Sequence, residues 1–277
     1  MNAQSKSRIE NFVNVNKTKL VFLSPSGHLG GAERCLFDFI EELASRGWHN
    51  ITLISFCDGE LVKKAKNIGI DVVVKQIPGS VATVGDWGIS NKSSVLATTV
   101  LLLRLISSLR EIIKFMRELR SLVMSIIPTI IHTNGMKAHI LGALITPWRC
   151  KLIWHIHDFA SSRLIMSKLL SFFSFRTTKV IAISSPVAAD LEKVLPMAKI
   201  KCIVNGIDTD YFKPSRIKQP SILLKPNPNC VSVGLVATYA KWKGHLLFLN
   251  AIAEIKNILN AADVHFFIVG SPVYNTK

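Results

Sequence analysis

Four short stretches carry residue types that could do chemistry on a phosphorylated or hydroxylated ligand. The first, Ser26-Gly27-His28-Leu29-Gly30-Gly31-Ala32-Glu33, sets Gly30 and Gly31 between an apolar run and a helical pattern. Glycine lets the backbone come close to a ligand, and a helix N-terminus offers free N–H groups and partial positive charge to a phosphate or to sugar oxygens. A tight turn that needs glycine for steric reasons would read the same way. The glycines fall at 27, 30 and 31, which is neither the G-x-G-x-x-G of dinucleotide binding nor a Walker A loop. In the second stretch, Trp154-His155-Ile156-His157-Asp158, strand alternation puts both imidazoles on one face. No third ligand is marked by spacing, so a metal is not expected. A histidine at a strand end is suited to hydrogen bonding or acid–base work on a sugar hydroxyl or phosphate, the alternative being a packed structural side chain. The third stretch, Asn205-Gly206-Ile207-Asp208, suits a turn with positive φ. In the fourth, Lys241 and Lys243 precede a helix that opens near Gly244, where two ammonium groups and a helix N-terminus could hold a diphosphate.

Such residues work only if strands and helices bring them to one place. Short β-branched runs at 19–23, 51–56, 71–74, 129–132, 151–155, 179–183 and 200–204 alternate with helical patterns at 32–44, 61–68, 137–145, 163–173 and 186–195, and with a long helix between 91 and 127. A Gly-punctuated loop spans 78–92. This alternation predicts a doubly wound α/β fold with a parallel sheet and right-handed crossovers. In such sheets ligands collect at the carboxyl ends of strands, where the first three stretches fall. Residues 214–228, with three prolines, read as a linker, and 230–236, 244–259 and 263–269 form a fresh β-α-β unit. The expected organisation is a polar tail at 1–17, a Rossmann-like N-terminal domain at 18–213, the linker at 214–228, and the beginning of a second Rossmann-like domain at 229–277.

Composition narrows the partners. The formal charge is +16, with 49% hydrophobic residues. Residues 91–127 hold six Lys/Arg against two acids, and 136–180 hold seven against Asp158 alone; both stretches are strongly apolar. Leu105, Leu109, Ile112, Met116, Leu119 and Val123 recur at spacings of four and three, which predicts one apolar helical face. Basic charge interleaved with apolar side chains points to an anionic membrane surface, ordinary core-packing helices with a basic outer side being the plainer account. No nucleic-acid motif accompanies the charge, so nucleic acid is not expected. No apolar run reaches the roughly 18 residues that span a bilayer, and the polar first 17 residues lack the apolar core of a secretory signal. The expected location is the cytoplasm, peripheral on the cytoplasmic membrane. Five scattered cysteines, none in a C-x-x-C pair, suggest neither a disulfide framework nor a zinc site.

Taken in order, Gly-Gly-Ala-Glu at 30–33, His157-Asp158, Val-Asn-Gly-Ile-Asp at 204–208 with Tyr-Phe-Lys-Pro at 211–214, and Trp-Lys-Gly-His at 242–245 resemble family 4 retaining glycosyltransferases of the GT-B fold. The resemblance covers residues 19–274. It implies transfer of a sugar with retention from a nucleotide-activated donor to a glycan or lipid-linked acceptor, in cell-surface polysaccharide or glycolipid synthesis, with no metal or other cofactor. By resemblance, Gly30 and Gly31 line the donor and acceptor cleft, His157 lies near the donor phosphate and the acceptor, Asn205 and Gly206 belong to the binding loop, and Lys243 neutralises the departing diphosphate. Two departures stand out. Thr238 occupies the place of a family arginine, so one of the two usual diphosphate cations is absent unless Lys241 substitutes for it. The family's late pair of glutamates seven residues apart has no place before Lys277, and Glu33 and Glu41 match that spacing by coincidence. The expectation is a chain that lacks on the order of 100 residues of its second domain and is impaired or inactive as it stands. The alternative is a non-catalytic membrane- or partner-binding protein with an incomplete donor site; a sugar-nucleotide epimerase lacks its motifs here.

Overall fold

The computed structural model describes residues 15, 17–79, 108–213, 231–240, 243–256 and 264–271. Residues 214–228, the first part of the predicted 91–127 helix and Lys241 lie outside them, as does most of the 78–92 loop. The chain divides into two compact units, Met1–Gly206 and Ile207–Lys277.

In the first unit, seven strands alternate with helices: β1 (Leu20–Ser24), α1 (Gly31–Ser45), β2 (Ile51–Ser55), α2 (Glu60–Asn67), β3 (Asp71–Val74), α3 (Leu109–Ile126), β4 (Ile130–Asn134), α4 (Met136–Ile145), β5 (Lys151–Ile156), α5 (Leu164–Phe173), β6 (Lys179–Ala182), α6 (Ser185–Val194) and β7 (Ile200–Cys202). All pairings are parallel, in the order β3-β2-β1-β4-β5-β6-β7. This is the doubly wound α/β arrangement that the alternation of runs predicts. The order reverses between β1 and β4, and a crevice for ligand opens outside the carboxyl ends of strands at such a switch point.

Alternation along β1 divides the core into two layers. Leu20 and Phe22 pack with Leu36, Phe37 and Ile40 of α1 and with Leu61 and Ala65 of α2. Val21 and Leu23 point the other way, to a larger cluster with Leu119 and Val123 of α3, Leu141 of α4, Leu170 of α5 and Leu191 of α6. Strands covered on both faces read as near-continuous apolar runs, which is how 20–23 and 51–54 look in the sequence.

Helix α3 turns the expected stripe inward from Met116 to Val123 and widens it toward Phe115. Phe115, Leu119 and Val123 are buried, Met116, Leu122 and Ile126 pack around them, and Leu109 is exposed. The cause is Phe115, which packs edge-on against Phe56 with ring centroids 5.9 Å apart. Of the expected apolar face, Leu105 lies outside the described residues.

The second unit holds β8 (Val231–Val236), α7 (His245–Lys256) and β9 (Val264–Val269), with β8 and β9 paired in parallel from Val231↔Val264 to Val236↔Val269. Among the described residues no helix is long and apolar enough to cross a membrane.

Candidate functional site

The switch point is built from backbone first. After β1 the chain passes Gly27 so closely to the β2–α2 loop that a Cβ on Gly27 would fall 2.3 Å from the Cys57 carbonyl oxygen. The same Cβ test on Gly59 meets the Gly27 carbonyl oxygen at 2.3 Å. The Gly27 N–H donates to Cys57 Sγ (3.0 Å) and the Leu61 N–H donates to the Gly27 carbonyl (2.8 Å), locking the two loops together. Gly27 therefore supplies the steric need for glycine in this turn. Gly30 is the N-cap of α1 in extended conformation, and Gly31 opens the helix with nothing within 4 Å of a Cβ, so the approach to the helix N-terminus is clear.

The loop after β4 is the second wall. Asn134 ends the strand fully buried, and Gly135 caps α4 at φ 89°, where its hydrogen faces Pro25; a Cβ would fall 2.7 Å from the Pro25 ring. Just past β5, His157 turns its ring back toward Asn134, and its Nε2–H donates to Asn134 Oδ1 at 2.7 Å. That bond fixes the tautomer and leaves the Nδ1 lone pair as the acceptor. Burial lowers the His157 pKa, with Asp158 opposing in part, so the imidazole is neutral near pH 7. Asn134 Nδ2 is buried with no partner among the described residues.

His157 ends a column of three imidazoles. His155 lies 4.4 Å from it between ring centroids, as alternation along β5 requires, and His132 of β4 lies 5.3 Å further in, against Phe22 (5.1 Å) and Phe39 (5.7 Å). Burial lowers the His132 pKa to about 3 and that of His155 to about 4, with the neighbouring imidazoles adding to the shift. Both are neutral packing groups, which is the structural role that the sequence left open for His155. A fourth, His139, stacks on Trp154 at 5.5 Å and bonds the Thr133 hydroxyl at 2.6 Å.

Glu33 was set aside in the sequence as a coincidence of spacing. In the structure it stands in the first turn of α1, where burial raises its pKa and the backbone N–H groups of Glu33 and Gly30 oppose that rise; the Asp158 carboxylate raises it further. Glu33, Asp158 and His157 thus share one edge of the sheet. Asn134 was not singled out from the sequence, and Glu33 was named there without a role in the site. Asn134 followed by Gly135 at a strand end is the signal that could have found it.

Asn205 lies beyond β7, where its Oδ1 accepts a hydrogen bond from Cys35 Sγ of α1 (3.2 Å), so this loop is tied to the first helix. Gly206 is exposed, with open space around it. In the second unit, Lys243 is exposed just before α7, its backbone N–H donating to the Ala240 carbonyl at 3.0 Å, and Gly244 takes φ 78°. Thr238 is half-buried and its hydroxyl has no partner among the described residues. Among the described residues no three His, Cys, Asp or Glu side chains group as metal ligands.

A seven-stranded parallel sheet with Gly-capped loops at its switch point is a Rossmann-like architecture, and it matches the fold of GT-B glycosyltransferase structures. The chain belongs to Glycosyltransferase Family 4, which residues 29–211 match. Its fold is similar to that of HepE from Anabaena, solved in complex with UDP-glucose, at 19% identity and a TM-score of 0.61 over 93% of this chain and 62% of that one. A glycosyltransferase from Rickettsia africae is similar at 21% identity and a TM-score of 0.59, over 92% of this chain and 61% of that one. Sucrose-phosphate synthase from Thermosynechococcus elongatus follows at 14% identity and 0.57, over 91% and 70%. The chain thus spans about 62% of the length of HepE. Comparison with curated proteins gives no match.

Proposed function

We propose that this protein transfers a sugar, with retention of anomeric configuration, from a nucleoside-diphosphate sugar to a glycan or lipid-linked acceptor in cell-surface polysaccharide or glycolipid synthesis, at an anionic membrane face of the cytoplasm. The bond between the anomeric carbon and the diphosphate breaks, a bond to an acceptor hydroxyl oxygen forms on the same face of the sugar, and the hydroxyl proton passes to the departing diphosphate. His157 accepts a hydrogen bond from a sugar hydroxyl through Nδ1, its other nitrogen being held by Asn134. The α1 N-terminus at Gly30 and Gly31 faces the reacting sugar and phosphate, and Asn205 and Gly206 complete the loop set. Lys243, with Lys241 in the role of a second cation, neutralises the leaving diphosphate.

The observation that carries this reading is the neutral, oriented His157 one strand from the switch point, in a chain of Glycosyltransferase Family 4. Calorimetric titration of this chain with a panel of nucleotide sugars tests it, starting with UDP-glucose because the HepE structure contains it. Saturable binding of one donor is the expected result. Absence of binding across the panel would count against the donor reading.

A further inference from the structure

We propose that the first unit docks on an anionic membrane surface through an aromatic row at the amino-terminal side of β5 and β6, formed by Trp148, Phe175 and Phe172 and flanked by Arg120, Arg149 and Lys168. The proposal deepens the membrane-face reading above by naming the surface that makes the contact.

The three rings are 79%, 61% and 68% exposed, which is unusual for large apolar side chains standing together. They form one row, with centroids 6.4 Å apart from Trp148 to Phe175 and 6.5 Å from Phe175 to Phe172. The row is held outward. The Arg176 guanidinium lies 3.6 Å from the Trp148 ring centroid, its Nε donates to the Ala143 carbonyl at 3.2 Å, and its Nη2 donates to the Thr146 carbonyl. A guanidinium pinned by two carbonyls fixes the indole stacked on it, so the exposure of Trp148 is built into the fold. Between these groups opens a cavity of about 240 Å³ lined by Arg120, Thr146, Trp148, Phe173 and Arg176.

The charge around the row is all of one sign. Residues 136–157 and 159–189 contain no Asp or Glu. On α1 and α2, by contrast, Arg34, Arg46 and Lys64 each face a carboxylate one turn away. Among the described residues no ion pair reaches Arg120, Arg149, Lys168 or Arg176. Along α5, Ile165, Lys168 and Phe172 are all exposed and recur at spacings of three and four, so one apolar and basic stripe continues the row and lets the helix lie flat on a surface.

Charge complementarity selects the occupant. A second copy of this chain would bring a like-charged patch and a formal charge of +16. A bilayer of anionic phospholipid offers phosphates to the arginines and an interfacial layer in which tryptophan and phenylalanine rings settle.

Sedimentation of the full chain with vesicles tests this, comparing phosphatidylcholine alone with phosphatidylcholine containing roughly 30% phosphatidylglycerol at about 50 mM salt. The wild type should pellet with the anionic vesicles only, and high salt should release it. The triple variant Trp148→Ser, Phe172→Ser, Phe175→Ser should partition at least roughly tenfold more weakly. The charge variant Arg149→Glu, Lys168→Glu should behave likewise, while Lys63→Glu, Lys66→Glu on α2 should stay within about twofold of wild type. All substituted side chains are exposed, so circular dichroism should be unchanged. Equal pelleting of the triple variant and the wild type would overturn the proposal, as would equal loss in the α2 control or no pelleting of wild type at low salt. A dimer seen by light scattering and lost in the triple variant, without vesicle binding, would reassign the row to a contact between copies.

Discussion

Strands β1 and β8 are built from similar residues and end in different places. β1, LVFLS, is buried at all five positions, whereas β8, VSVGLV, is exposed at five of six. Local propensity for a strand is the same kind of signal in both; burial depends on what covers the strand. β1 has two strand neighbours and helices on both faces, while β8 has one neighbour, β9, among the described residues. The chemistry follows the packing. At the carboxyl end of the strands in the seven-stranded sheet His157 is oriented by a buried Asn134, while in the second unit Lys243 stands in solvent. The first region arrives with its groups already placed, and preorganised groups are the ones whose loss costs most.

This contrast can be tested by substitution. Trp154→Ala, in the middle of the large cluster, should cost about 3–5 kcal/mol of stability in denaturant unfolding. A cost below 1 kcal/mol would mean that the sheet is less tightly packed than described. Gly27→Ala drives a Cβ into the Cys57 carbonyl and should cost about 3 kcal/mol, together with a shift of the loop that carries Gly30. In the second unit, Lys243→Ala should leave stability unchanged and weaken nucleotide-sugar binding by roughly tenfold or more, the worth of one charge-assisted contact. Calorimetry that shows unchanged affinity would remove Lys243 from the donor site.

The buried imidazoles add a pH test. Folding depresses the pKa of His132 to about 3 and that of His155 to about 4 from 6.5, so below pH 6.5 the unfolded chain binds protons that the folded chain refuses. Their stability contribution is complete above pH 6.5 and is lost as pH falls toward 4 and 3, by up to about 1.4 kcal/mol per pH unit for each histidine. His132→Phe should flatten that acid limb in urea titrations run at a series of pH values. The smallest effect belongs to the exposed strand: Val236→Ala, at a side chain 78% exposed, should change stability by about 0.5 kcal/mol or less.

The sequence showed much of this, and its limits have physical causes. Alternating β-branched and helical runs disclosed the parallel α/β plan, and the rule that ligands gather at carboxyl strand ends pointed to the loop at Gly30 and to His157 as candidates. Strand order was not legible, because parallel strands are joined by crossovers that leave no register signal in neighbouring residues; the position of β1 beside β4 is a property of tertiary packing. Asn134 was missed for the same reason, since its partner is 23 residues away on the next strand. The stripe on α3 was legible at Leu119 and Val123, which are buried, but apolar spacing alone cannot rank Phe115 above Ile112, and that choice is made by Phe56 across the interface. The need for glycine at position 27 was not legible, because the β2–α2 loop that presses against it lies 30 residues further along the chain.

The most direct test of the central claim is the rate of sugar transfer from the bound donor to membrane-derived acceptor, measured for the wild type and for His157→Ala. The account predicts slow but measurable transfer by the wild type, in keeping with the impaired activity expected from the sequence, and a rate roughly 100-fold or more lower for the variant, with donor binding retained. Equal rates for the two proteins, or no transfer by the wild type, would contradict it.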